Sequence, residues 1–98
     1  GKITAACVDL EHNQGTDLAL EGKIVMIPQA DPGHDWLFGN NIAGLITMYG
    51  GANSHMAIRA AEFSLPAAIG IGETHYRNLA DAMELELNAG QRLIRVIH

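Results

Sequence analysis

Short apolar runs, broken by glycine-bearing or polar punctuation, set the rhythm of this chain. Residues 3–10 are mostly apolar and β-leaning and predict a first strand, followed by a polar turn over 11–15. Leu18-Ala19-Leu20 runs into Glu21-Gly22, a turn signal. Residues 23–28 carry the unbroken set Ile24, Val25, Met26 and Ile27, which predicts a strand buried on both faces. Asp31-Pro32-Gly33 punctuates a loop over 29–33. Asp35 then caps a short helix bearing Trp36, Leu37 and Phe38, closed by Gly39-Asn40-Asn41. Residues 43–49 predict the next strand.

The main helix is expected from Ser54 or His55 to Phe63, with Asn53 and Ser54 both suited to cap it. Ala57, Ala60 and Ala61 predict a smooth face that lies close on a sheet. Pro66 stops the helix and pushes Leu65 to an extended conformation. A short strand over 67–71 and a loop or distorted turn over 72–81 follow. Met83-Glu84-Leu85-Glu86-Leu87 alternates with period two, the mark of a strand with one wet face formed by Glu84 and Glu86. Asn88-Ala89-Gly90 predicts a hairpin turn into a return strand over 93–97. No internal repeat or low-complexity linker interrupts this mixed α/β order.

Composition narrows the classes. Ninety-eight residues suit one domain, and 48% hydrophobic with 17% charged residues fits a globular chain. A net charge of −5, with six scattered Lys and Arg, argues against a nucleic-acid partner. The longest apolar runs are too short for a membrane span, and the N-terminus lacks an apolar leader. The single cysteine, Cys7, rules out an internal disulfide and suits a reducing, cytoplasmic setting. Gly1 is not an initiator, so the expectation is one domain over 1–98 excised from a longer multidomain chain.

The candidate chemistry centres on Gly50-Gly51-Ala52-Asn53-Ser54-His55, between a predicted strand and a predicted helix. A helix start offers unpaired N–H groups and a partial positive charge, a natural seat for a phosphoryl group. An imidazole held there is a candidate nucleophile. The two glycines remove side-chain bulk so that phosphate can approach the backbone. Ser54 either caps the helix, hydrogen-bonds phosphate, or does both. His12, His34, His75 and His98 show no metal-ligand spacing, so no metal site is expected. His34 is expected at the surface. Cys7 is read as a core or inert edge residue, Trp36 and Phe38 as local packing, and Met26, Met48, Met56 and Met83 as core or half-buried.

Residues 50–70, GGANSHMAIRAAEFSLPAAIG, resemble the mobile, phosphohistidine domain of the PEP-utilising enzymes, whose pattern runs G-G-x-x-S/C-H-x-A-I/V-x-A-R-E-x-x-I/L-P-A-V/A-V/I-G. Gly22-Lys23-Ile24-Val25 resembles the strand before that family's T-x-P loop. Ala30-Asp31-Pro32 stands at the loop, and Asn88-Ala89-Gly90-Gln91 through Val96 resembles the closing hairpin. Two positions depart. Asn53 stands where the dikinase and synthase branches commonly carry Thr, and Ala61 stands where the A-R-E element carries its arginine.

The resemblance implies a swivelling β/β/α phosphohistidine fold of the α/β class. It also implies the role of phosphoryl-carrier domain in a phosphoenolpyruvate-synthase-like, ATP-dependent phosphotransferase. His55 would be the transient phosphoryl acceptor, and Gly50, Gly51, Asn53, Ser54 and Arg59 would bind phosphate. The carrier would swing between an ATP-grasp nucleotide-binding domain and an acceptor domain serving a small-molecule substrate. No cofactor is expected on the domain itself; ATP and Mg²⁺ belong to the partner domain. Arg59, four residues after His55, either leans back over it in place of the absent family arginine or pairs with Glu62 or Glu73 at the surface. Two other readings stay open. One is a non-catalytic binding or interaction module that retains the fold; the other is a swivelling domain of the aconitase type without phosphohistidine.

Overall fold

A computed structural model describes residues 2–10, 20–29, 37, 39–50, 55–88 and 93–97, with Lys2, His55, Met56 and Leu93 described by backbone alone. In chain order the elements are β1 (Lys2–Asp9), β2 (Ile24–Ile27), β3 (Gly44–Thr47), α1 (His55–Glu62), β4 (Ala67–Ala68), α2 (Glu73–Ala80), β5 (Glu84–Asn88) and β6 (Leu93–Val96). The strands form one mixed sheet in the order β4-β3-β2-β1-β5-β6. The four strands β4 to β1 run parallel, and β5 and β6 add antiparallel.

β1 divides its pairing. Residues 2–6 lie opposite β5, whereas Cys7, Val8 and Asp9 pair with β2. The sheet curls about this strand. A Cβ at Gly44 would sit 2.9 Å from Leu87 Cδ2 and 3.0 Å from Ile3 Cδ1. In a flat sheet β3 and β5 would be three strand spacings apart, about 14 Å. The curl therefore folds the antiparallel part over the parallel part as a second β layer.

Alternation along β2 and β3 feeds two cores. Ile24, Met26, Ile46 and Met48 point into the fold of the sheet, where they meet Leu85, Leu87 and the α2 residues Tyr76 and Leu79. Val25, Ile27 and Leu45 point the other way and pack with Leu20, Leu37, Ile42 and Ala60 of α1. The result is the mixed α/β, β/β/α architecture expected from the sequence.

Helix α1 presents Ala60 inward, with Ala57 half-buried, but Ala61 is exposed. At about 100° per residue, Ala57 and Ala61 flank the contact direction unequally, and Ala60 takes it. The helix ends as Leu65 N–H donates to Ala60 O at 2.8 Å and Ser64 N–H to Ala61 O at 3.1 Å. Ser64 adopts a left-handed φ of 53° there, and Pro66 follows.

Other local expectations need correction. Residues 72–81, expected as loop or distorted turn, contain α2. Its N-cap is Gly72, with no side-chain cap, and its only buried residues are Tyr76 and Leu79, so the local signal is weak. Burial of Tyr76, whose hydroxyl donates to Asp9 Oδ1 at 3.3 Å, holds the helix in place. Met83 is 76% exposed rather than core or half-buried: it stands just before β5, its carbonyl accepting from Cys7 N–H at 3.0 Å while its side chain stays at the surface. The strand over 67–71 shortens to Ala67–Ala68, because the chain turns away to bond the end of β3.

Cys7 is half-buried against the inner core and donates its thiol to Met26 Sδ at 3.1 Å. Burial, reinforced by the charge of Asp9, raises its pKa from 9.0 to about 11, so the thiol is inert at neutral pH. The expected readings of the 11–15 turn, Asp31-Pro32-Gly33, His34, Asp35, Trp36, Phe38 and the Ala89-Gly90 turn lie outside the described residues.

Candidate functional site

The carboxyl ends of β2, β3 and β4 converge on one edge of the sheet, the usual location of sites in parallel α/β architecture. The segment leaving β3 is tied to both neighbours. Pro28, just after β2, accepts hydrogen bonds at its carbonyl from Met48 N–H at 3.1 Å and Tyr49 N–H at 3.0 Å. On the other side, Thr47 O accepts from Gly70 N–H and Ile71 N–H, each at 3.1 Å, and Met48 O accepts from Gly72 N–H at 3.0 Å.

The Thr47 hydroxyl adds a link within this frame. It donates to Tyr49 O at 2.8 Å and accepts from Gly70 N–H at 3.0 Å. Thr47 itself is fully buried. Gly50 leaves the frame at φ 124°, a conformation that favours glycine. Gly70, at φ 73°, approaches Gly50 so closely that a Cβ there would overlap the Gly50 carbonyl oxygen. Outside this contact, the exposed Tyr49 hydroxyl donates to Glu73 Oε2 at 3.3 Å, joining the segment to the first turn of α2.

His55 is the first residue of α1, five residues beyond Gly50 in the chain. The first turn of α1 contains no acidic residue. No carboxylate of its own therefore offsets the partial positive charge of the helix start, which favours an anion there. Gly51, Asn53 and Ser54 lie outside the described residues, so their expected roles in capping and phosphate binding have no geometry here.

Arg59 lies on α1 with its guanidinium toward the helix C-terminus. Nη1 pairs with Glu62 Oε2 at 2.9 Å, and the guanidinium carbon stands 5.2 Å from the centre of the Phe63 ring. This arrangement contains the Glu62 pair considered from the sequence; Glu73 is engaged by Tyr49. Ala61, at the position of the resembling family's arginine, is exposed.

The structure thus brings together Gly50, Thr47 and the Gly70 to Gly72 segment. Sequence reading identified Gly50 but missed Thr47 and the second segment. A threonine at the end of an apolar strand carries no local mark of function, since Gly70, one of its two partners, stands 23 positions away. Among the described residues no group of three or more His, Cys, Asp or Glu could hold a metal, and His75 is exposed on α2. No helix among them is long and apolar enough to cross a membrane.

Comparison with known proteins adds independent findings. The family described as PEP-utilising enzyme, mobile domain, matches residues 19–92. The chain is 32% identical over 77 residues to rifampicin phosphotransferase of Bacillus cereus, a match covering 79% of this chain and 9% of that protein. The solution structure of Enzyme I (nEIt) superposes with a TM-score of 0.62 at 24% identity, over 84% of this chain and 33% of that one. The chain thus spans about a tenth of the curated relative's length and a third of the solved structure's, and the latter likeness shows the fold.

Proposed function

Since this chain belongs to the PEP-utilising enzyme mobile domain family, we propose that it is the phosphoryl-carrier domain of a phosphoenolpyruvate-synthase-like, ATP-dependent phosphotransferase and that His55 carries the phosphoryl group. The observation supporting this reading is the position of His55 at the first residue of α1, beyond a rigidly framed glycine at the carboxyl edge of the sheet. A neutral imidazole nitrogen attacks phosphorus, a phosphorus–nitrogen bond forms, and the bond to the leaving oxygen breaks. The helix start then favours the phosphorylated anion. Gly50 and Gly51 let a partner's active site approach, Asn53 and Ser54 cap and hydrogen-bond, and Arg59 supplies a cation after leaving Glu62.

The domain works within a longer chain. An ATP-grasp partner holds ATP and Mg²⁺ and delivers the β-phosphoryl group to His55; AMP departs, and water takes up the γ-phosphoryl group, which leaves as inorganic phosphate. An acceptor domain then presents a small molecule. Tethering keeps the effective concentration of the carrier high at both places. The likeness to rifampicin phosphotransferase supports a small-molecule acceptor.

The test uses the intact protein that carries this domain, supplied with β-labelled ATP and, in a parallel arm, labelled phosphoenolpyruvate. Acid-labile label on His55, absent from His55→Ala, is the expected result. Absence of label with both donors overturns the carrier reading in favour of a non-catalytic module. The exposed Ala61 and the Arg59–Glu62 pair are the observations that favour that second reading.

A further inference from the structure

We infer that Thr47 is a positioning residue for phosphoryl transfer, its buried hydroxyl setting the path of the segment that leads to His55; this rests on the carrier reading above. No assigned chemistry accounts for the hydroxyl. It is fully enclosed at the last position of β3 and faces two backbone groups from different segments, Tyr49 O at 2.8 Å and Gly70 N–H at 3.0 Å. Strand pairing alone does not require it, since Gly70 N–H also bonds Thr47 O at 3.1 Å.

The hydroxyl acts on the conformation of residues 49 and 50. Holding the Tyr49 carbonyl directs the next peptide, and Gly50 follows at φ 124° against the backbone of Gly70. Both segments thereby meet at one buried oxygen. Without its proton the Tyr49 carbonyl loses a donor, and the Gly50 turn can move away from Gly70. His55 begins α1 five residues beyond Gly50 in the chain, so a shift at Gly50 is expected to reach it. In-line attack on phosphorus is sensitive to such displacements, since an error of about 1 Å in position costs up to about a hundredfold in rate.

Thr47→Val keeps the branched shape and removes the hydroxyl, while Thr47→Ser keeps the hydroxyl. In the intact protein with β-labelled ATP or labelled phosphoenolpyruvate, Thr47→Val is expected to slow labelling of His55 by about tenfold or more. Thr47→Ser is expected to restore the rate to within about threefold of wild type. The amide NMR signals of Gly50 and Gly70 should shift in Thr47→Val and return toward wild-type positions in Thr47→Ser. Thermal unfolding monitors integrity, and Thr47→Ala replaces the valine variant if that fails to fold.

A wild-type labelling rate in Thr47→Val or Thr47→Ala overturns the inference. Equal slowing in the serine variant also overturns it, because the effect then belongs to packing rather than to the hydroxyl. If wild-type protein itself carries no label on His55, the carrier reading fails and this inference falls with it. That outcome is distinct because it appears before any substitution at Thr47.

Discussion

Gly70 lies against Gly50 with no space for a side chain: a Cβ at residue 70 would overlap the Gly50 carbonyl oxygen. The contact joins the segments after β3 and β4, and one of them leads directly to His55. Gly70 also has a left-handed φ of 73°. Gly70→Ala is therefore expected to lose about 2 kcal/mol or more of stability, from backbone strain together with overpacking. It should also slow phosphorylation of His55, because relief requires Gly50 to move. Urea unfolding and labelling rates check both, and an unchanged midpoint would show that the approach relaxes freely.

Arg59, four residues after His55 on α1, tests the proposal that this helix supplies a cation to phosphate. It begins paired with Glu62 at 2.9 Å, and the side chains are 34% and 55% exposed. Breaking such a pair should alter stability by no more than about 0.5 kcal/mol. If Arg59 turns to phosphate, Arg59→Gln shortens the lifetime of phosphorylated His55, whereas Glu62→Gln leaves it unchanged or lengthens it. Equal lifetimes in wild type and Arg59→Gln would leave Arg59 as a surface residue held by Glu62 and Phe63.

Cys7 gives a pH dependence with a definite sign. Its thiol ionises near 9.0 in the unfolded chain and near 11 in the folded one. Between those values the unfolded chain binds fewer protons, so stability falls as pH rises from about 9 to about 11. Below pH 9 both states are protonated and the contribution is constant. Urea midpoints for wild type and Cys7→Ala over this range should converge or cross as pH rises. Parallel curves would assign the loss to other groups.

The curl of the sheet is tested at Gly44. An added methyl would meet Leu87 Cδ2, Ile3 Cδ1 and, at 3.3 Å, the carbonyl of Pro66. The two side-chain tips can yield but the carbonyl belongs to the β3–β4 pairing, so Gly44→Ala should cost about 1–3 kcal/mol. An unchanged denaturation midpoint would mean that the two β layers do not close so tightly on this strand.

Local chemistry made much of the architecture legible. The apolar run Ile24 to Ile27 marks β2, and the alternation of Glu84-Leu85-Glu86-Leu87 marks β5 with its buried leucines. Pro66 announces the end of α1, and Glu21-Gly22 turns where Gly22 takes a φ of 74°. The sequence motif also singled out His55 and Gly50, because a glycine-bearing strand-to-helix connection is encoded in adjacent residues. These signals act over a few positions, so they survive without knowledge of the fold.

Tertiary structure alone decided the curl that places Leu87 over Gly44, the helix built on Tyr76 and Leu79, and the meeting of Thr47 with Gly70. Each depends on groups distant in sequence whose burial or hydrogen bonding outweighs weak local preference. Helix α2 has an uncapped glycine start and two buried side chains, so its stability comes from the core it enters. The Thr47 hydroxyl likewise acquires its role only when parallel pairing of β3 with β4 carries Gly70 to it. Sequence determines the residue types available at this edge; long-range packing determines which of them hold the segment that leads to His55.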